Sequence, residues 1–167
     1  MKRPSLTAAL ACLVAAASFP VHGHDIVRRG GAGFPISSSV TVPAGSDIVF
    51  LSGTLADVAD PKAPAGSIER FGDTATQTKS VLGKIAKELE GAGLSMADVV
   101  KMNVFMVGDP RKGGVMDFEG LMHGYLQHFG TAAQRNLPAR TTVQVAGLPV
   151  PGALVEIEVV AARAADH

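Results

Sequence analysis

The stretch VVKMNVFMV, residues 99 to 107, constrains this chain more than any other. Successive strand residues project to opposite faces. Val100, Met102, Val104 and Met106 therefore form one apolar row, while Lys101, Asn103 and Phe105 share the other side. A row of that length needs a cover, and an amphipathic helix stands on each side of it in sequence. Before it, Thr78, Val81, Leu82, Ile85 and Leu89 recur at helical spacing, with Lys84, Lys87, Glu88 and Glu90 on the remaining surface. Asp73 is placed to cap that helix, Gly91 and Gly93 to stop it, and Ser95 with Asp98 fits the capping signal of a short turn. After it, the loop GDPRKGG leads to a second stripe: Val115, Phe118, Leu121, Met122, Tyr125 and Phe129.

The other strands are weaker or at the ends. SSSVTV (37–42), the turn residues PAGSD (43–47) and IVFLSG (48–53) predict a hairpin, preceded by a flexible lead-in, GGAGFP (30–35). Residues 56–72 turn to Pro, Asp, Lys and Gly and read as a surface loop. The closing stretch LPARTTVQVAGLPVPGALVEIEVVAAR (137–163) supplies two strands around LPVPG. In the first, Val143 and Val145 oppose Thr142 and Gln144; in the second, Val155, Ile157 and Val159 oppose Glu156 and Glu158. The order β-β-α-β-α-β-β predicts an α+β fold with two helices packed on one face of a sheet. The length of 167 residues suits a single such domain.

Residues 1–23 stand apart from that domain. Lys2 and Arg3 precede the apolar run LTAALACLVAAA, which has signal-peptide length and stops short of the 20 or so residues needed to cross a bilayer. Cleavage after Gly23 would leave a 24–167 domain, exported to the periplasm or beyond, with no membrane attachment. Cys12, the one cysteine, would leave with the leader, so the mature chain could use neither disulfides nor thiol chemistry. The 15 Lys and Arg balance 15 Asp and Glu, and loss of Lys2 and Arg3 makes the mature chain faintly acidic. Nucleic acid is therefore a poor partner. His123 and His128, five apart, have poor spacing for shared ligation, and no metal or cofactor site is expected.

Arg140 is the residue with chemistry in view. It follows Pro138 and Ala139 at the mouth of a strand, where proline stiffens the approach, and its planar fork suits a carboxylate. A hairpin about residue 150 would lay Glu156 and Glu158 beside Thr142 and Gln144. Two readings follow from spacing: a cross-strand ion pair on a wet face, which is the simpler one, or an anion clamp with an adjacent acid/base.

The closing motif, with PAR-T, the Leu-Pro turn and the E-I-E strand in order, resembles the Rid (YjgF) family of reactive-intermediate deaminases. The likeness continues upstream through IVFLSGT, GAGLSMADVVKMNVFM and MDFEGLMHGYLQHFG. It implies a chorismate-mutase-like fold and a homotrimer with clefts between subunits. It also implies that Arg140 binds the carboxylate of a small 2-imino or enamine acid, and that Glu156 activates the water that hydrolyses it, without cofactor. Glu158 is the alternative to Glu156, Thr142 a ligand contact, and Gly53 a point of close backbone approach. Where the family's deaminases carry a Tyr after Pro and an Asn on the second helix, this chain has PISSSV, with Ile36 or Ser37, and Met122. One expectation is testable at once. Intact mass of the protein recovered from an exporting host should show residues 1–23 removed, and a retained leader would count against export.

Overall fold

The computed structural model describes residues 25–31 and 33–165; the expected leader lies outside them. Six strands and two helices alternate along the chain: β1 (Val27–Gly30), β2 (Ser37–Thr41), β3 (Asp47–Leu55), α1 (Thr74–Gly91), β4 (Val99–Val107), α2 (Phe118–Tyr125), β5 (Ala139–Val145) and β6 (Val155–Arg163). The sheet order is β1-β2-β5-β4-β6-β3. Strand β4 lies parallel to β5 and antiparallel to β6, and β6 in turn is antiparallel to β3. Both helix-bearing connections, β3-α1-β4 and β4-α2-β5, thus join parallel strands, the first with β6 inserted between them.

Helix α1 forms for the reasons legible in its sequence. The Asp73 carboxylate accepts from Thr76 N at 2.8 Å, and Val81, Leu82, Ile85 and Leu89 are fully buried. Gly93 supplies the left-handed turn (φ 71°) that brings Leu94 N to Leu89 O at 2.8 Å. The Ser95–Asp98 capping box follows at once. The row Val100, Met102, Val104 and Met106 is buried, as is Val155, Ile157 and Val159 on β6. Met102, Val104 and Met106 pack with the β6 row under both helices as one core, joined by Val99 and not Val100 because the pairing is irregular between Val99 and Lys101, while Lys101, Asn103, Phe105, Glu156 and Glu158 occupy the other, half-wet face.

Three expectations are corrected. Strands β2 and β3 form no hairpin, because β3 pairs along nearly its whole length with the nine-residue β6 and goes to the far edge of the sheet. A ladder of seven paired positions on a largely buried strand outweighs a turn joining β3 to a five-residue partner. Strand β2 pairs instead with β1, formed by residues just ahead of the glycine-rich lead-in and continuing into Gly30. Strands β5 and β6 form no hairpin either, since β4 lies between them. The crossover through α2 makes β5 parallel to β4 and leaves the opposite edge of β4 to β6. Finally, α2 is shorter than its stripe: Val115 is exposed and bridges Asp109, and the helix starts only at the Asp117 cap.

Gln77 ties these layers together. It is fully buried, donates from Nε2 to Gly72 O (3.0 Å) and Gly152 O (3.1 Å), and accepts from Leu154 N (2.7 Å). Gln77→Leu strips partners from one buried and two partly buried backbone groups and is expected to cost roughly 3 kcal/mol, read as a lower denaturant midpoint with unchanged slope.

Candidate functional site

Two bonds pin the approach to Arg140: Ser37 N donates to Pro138 O (2.9 Å), and Ser37 Oγ donates to Leu137 O (2.7 Å). In register, Arg140 stands beside Met102 and Thr142 beside Val104. Both therefore point to the helix side of the sheet. There the guanidinium carbon lies 4.4 Å from the Tyr125 ring centroid and 5.7 Å from those of Phe34 and Phe118. Nη2 donates to Met122 Sδ at 3.3 Å. Tyr125 is itself fixed, its hydroxyl donating to Pro35 O at 2.9 Å.

This surrounding holds the cation without neutralising it. Aromatic faces attract a desolvated guanidinium by about 2 kcal/mol, but no carboxylate pairs with Arg140 among the described residues. Burial pulls the Arg140 pKa below its ordinary value, partly offset by Tyr125. Burial likewise raises the Tyr125 hydroxyl to about 12, with Arg140 pulling the other way. Arg140 Nη1 and Thr142 Oγ1 are both buried and have no hydrogen-bond partner. They lie two residues apart on one strand face, about 7 Å along the strand. Unpaired buried donors are costly, and an anion is what would satisfy both.

Glu156 is not there. It pairs in register with Phe105 and Leu55 and so sits on the opposite face of the sheet from Arg140. The expected Arg140–Glu156 adjacency within one chain is therefore corrected, and with it the cross-strand ion pair. The structure does bring Glu156 to Gly53. Strand β3 carries a bulge between Leu51 and Thr54, and a Cβ on Gly53 would collide with Glu156 Oε1. The glycine is what lets the carboxylate lie against the backbone. A hollow of about 460 Å³ opens at this bulge, lined in part by Ser52, Gly53, Thr54 and Lys84. Glu158 accepts from Asn103 Nδ2 at 2.7 Å, whereas Glu156 has no side-chain partner among the described residues. Of the two carboxylates, Glu156 is the one free to act.

Two candidate half-sites thus lie on opposite faces: Arg140 with Thr142, whose unpartnered donors suit an anion, and Glu156 with Gly53, which offer a carboxylate. The family profile described as Endoribonuclease L-PSP matches residues 35–163. The chain belongs to the Rid/YjgF/L-PSP family. It is 35% identical over 82% of its length to a RutC family protein of Pyrococcus horikoshii, covering 96% of that protein. It is 31% identical, at the same coverages, to the 3-aminoacrylate deaminase RutC of Acinetobacter baylyi. Among solved structures, E. coli TdcF with bound serine superposes with a TM-score of 0.54 at 32% identity, over 73% of this chain and 84% of that one. The Rid fold is therefore assured, with β1 lying ahead of the matched segment.

The aromatic setting of Arg140 was missed in sequence. Tyr125, Phe118 and Met122 read there as core stripe, and Phe34 as part of a flexible lead-in. The one available signal was that Tyr125 is the only tyrosine of the chain.

That singularity makes a clean experiment. An alkaline ultraviolet difference titration of the folded protein should show Tyr125 ionising near 12 rather than 10. Because the folded pKa is the higher one, the associated stability is present below pH 10 and is lost as pH rises toward 12. Tyr125→Phe should remove that segment of the stability–pH curve. On the other half-site, Gly53→Ala should displace Glu156 while leaving Arg140 untouched. The expected result, with ammonia release measured beside calorimetry, is that any turnover of a carboxylate ligand falls while its binding is retained.

Proposed function

We propose that this chain hydrolyses small 2-imino or enamine acids to 2-oxo acids and ammonia, in sites shared between copies. The observation that carries the reading is the buried, unpartnered Nη1 of Arg140, with Thr142 Oγ1 unpartnered on the same strand face. Glu156 would be supplied by a second copy, since it occupies the other face of its own sheet. Several surfaces favour association. Strand β2 meets β5 only at Ser37–Ala139, leaving the rest of that β5 edge without a strand partner among the described residues. Ile48, Phe50 and Val143 are exposed, Phe50 to 77%. A closed ring of three copies, as the family likeness suggests, would present one anion half and one carboxylate half at each interface.

In that site Arg140 Nη1 and Thr142 Oγ1 hold the substrate carboxylate and fix the C=N carbon. Glu156 takes a proton from water, whose oxygen bonds to that carbon while the π electrons move to nitrogen. Glu156 returns that proton to nitrogen; the carbinolamine's hydroxyl proton then passes to the same nitrogen, the C–N bond breaks, and neutral ammonia leaves as C=O forms. An enamine first takes a proton at its β carbon to become the imine. Water is the only co-reactant the balance needs. The relative named a 3-aminoacrylate deaminase supports the reaction class, and serine bound to TdcF supports an amino-acid-like ligand. Export, if the leader is cleaved, would place this chemistry in the periplasm or outside the cell.

A second reading, carboxylate binding without turnover, is favoured by one feature. By the family likeness Met122 stands for the Asn of the deaminases, and it takes the Arg140 Nη2 hydrogen; of the two residues that stand for their Tyr, Ile36 packs on the core and Ser37 spends its hydroxyl on Leu137 O.

Ammonia release from freshly generated imino acids discriminates the two. Arg140→Ala and Glu156→Gln should each reduce kcat/KM by at least about a hundredfold. Mixed and reassembled one to one, the two inactive variants should recover about a quarter of wild-type activity, because intact sites then form between unlike copies. No recovery in verified mixed oligomers would place both residues in one copy's site.

A further inference from the structure

The polar part of the Arg140 half-site ends abruptly. Beyond Nη1 and Thr142 Oγ1, the guanidinium is walled by Phe34, Phe118, Tyr125 and Met122. The Tyr125 hydroxyl is already engaged by Pro35 O. Phe34 stacks on Phe118 with centroids 6.3 Å apart and planes 8° from parallel. Yet Phe34 is 43% exposed, so much of its surface remains open beside a cation that lacks a counter-charge.

Isolated exposed phenylalanines are ordinary on protein surfaces. This one is different in being stacked on half-buried Phe118 and held at the unpaired Arg140 guanidinium, with half-buried Met122 beside it. A carboxylate seated on Arg140 would lay its substituent along that wall. An apolar, flat substituent gains burial there. A second carboxylate would be desolvated against aromatic rings with no charge to pair it.

From this geometry we infer that Phe34 and Phe118 make the site selective for monocarboxylic acids with apolar, preferably planar, side chains. The inference rests on Arg140 as the carboxylate anchor and names the substrate class of that site: imino acids of branched or aromatic amino acids over the smallest ones. Phe34 acts as a specificity residue through contact with the substituent, and takes no part in the bond changes.

Stable 2-oxo acids report on this without turnover. Calorimetric titration of the assembled protein should rank phenylpyruvate and 4-methyl-2-oxopentanoate tighter than pyruvate by roughly tenfold or more, with 2-oxoglutarate no tighter than pyruvate. Phe34→Ala should pull the phenylpyruvate-to-pyruvate ratio toward one. Phe34→Leu should keep the preference for the branched acid and lose the extra affinity for the aromatic one. Thermal melts of both variants check that they fold, and Phe118→Leu gives an independent reading if Phe34→Ala does not. Equal affinity for pyruvate and phenylpyruvate, strongest binding of 2-oxoglutarate, or an unchanged ratio in folded Phe34→Ala overturns the inference. Ammonia release is measured separately, so the two readings fail separately. Graded binding without turnover removes the deaminase and leaves this selectivity; turnover with ungraded affinities does the reverse.

Discussion

Everything in this molecule is organised by the pleat of β4. One row of its side chains is buried under α1 and α2, and the other looks out from the open sheet face. Because β4 pairs with β5 on one edge and β6 on the other, its pleat passes that division to both neighbours in register. Arg140 and Thr142 inherit the helix side, and Glu156 and Glu158 inherit the open side. No side-chain rearrangement can undo this, because a one-residue slip would turn the buried row of β6 outward. The separation of Arg140 from Glu156 is therefore a property of the sheet, and in the proposed function it is a second copy that would join them.

Arg140 shows how a protein can keep a buried cation unsatisfied. Three aromatic rings and a thioether support the guanidinium without cancelling its charge. The tyrosine beneath it is held neutral by burial. A carboxylate partner in that position would have been more stabilising for the fold and would have closed the site to any ligand. The same setting leaves Nη1 buried and without a hydrogen-bond partner. At the other half-site the device is steric: a bulge and a missing Cβ at Gly53 let Glu156 rest against backbone.

Local structure was legible where side-chain spacing and the backbone agree over many residues. The α1 stripe, its Asp73 cap, the Ser95–Asp98 box and the alternation of β4 all depend on neighbours within a few positions. Strand partnership does not. The turn residues between β2 and β3 suggested a hairpin because turn chemistry is local, while the ladder that sends β3 to β6 joins residues roughly a hundred positions apart. The short first strand escaped notice because four residues, two of them arginines, carry no useful period.

Sequence by itself determined the α+β class, the two helices over one apolar face, and Arg140, Thr142, Gly53 and Glu156 as the residues to watch. Residue type and period are enough for the fold class and the two helices, since burial follows pattern; Arg140 stands out by its proline-stiffened approach, whereas Thr142, Gly53 and the choice of Glu156 over Glu158 rest on the family likeness. Only the tertiary structure decided that Arg140 and Glu156 face opposite ways, that Glu158 is occupied by Asn103 while Glu156 is free, and that Phe34 reaches back over a hundred residues to stand against Arg140. Those are outcomes of strand order and chain crossover, which depend on summed ladder and packing energies across the whole sheet and leave no signature in any short stretch.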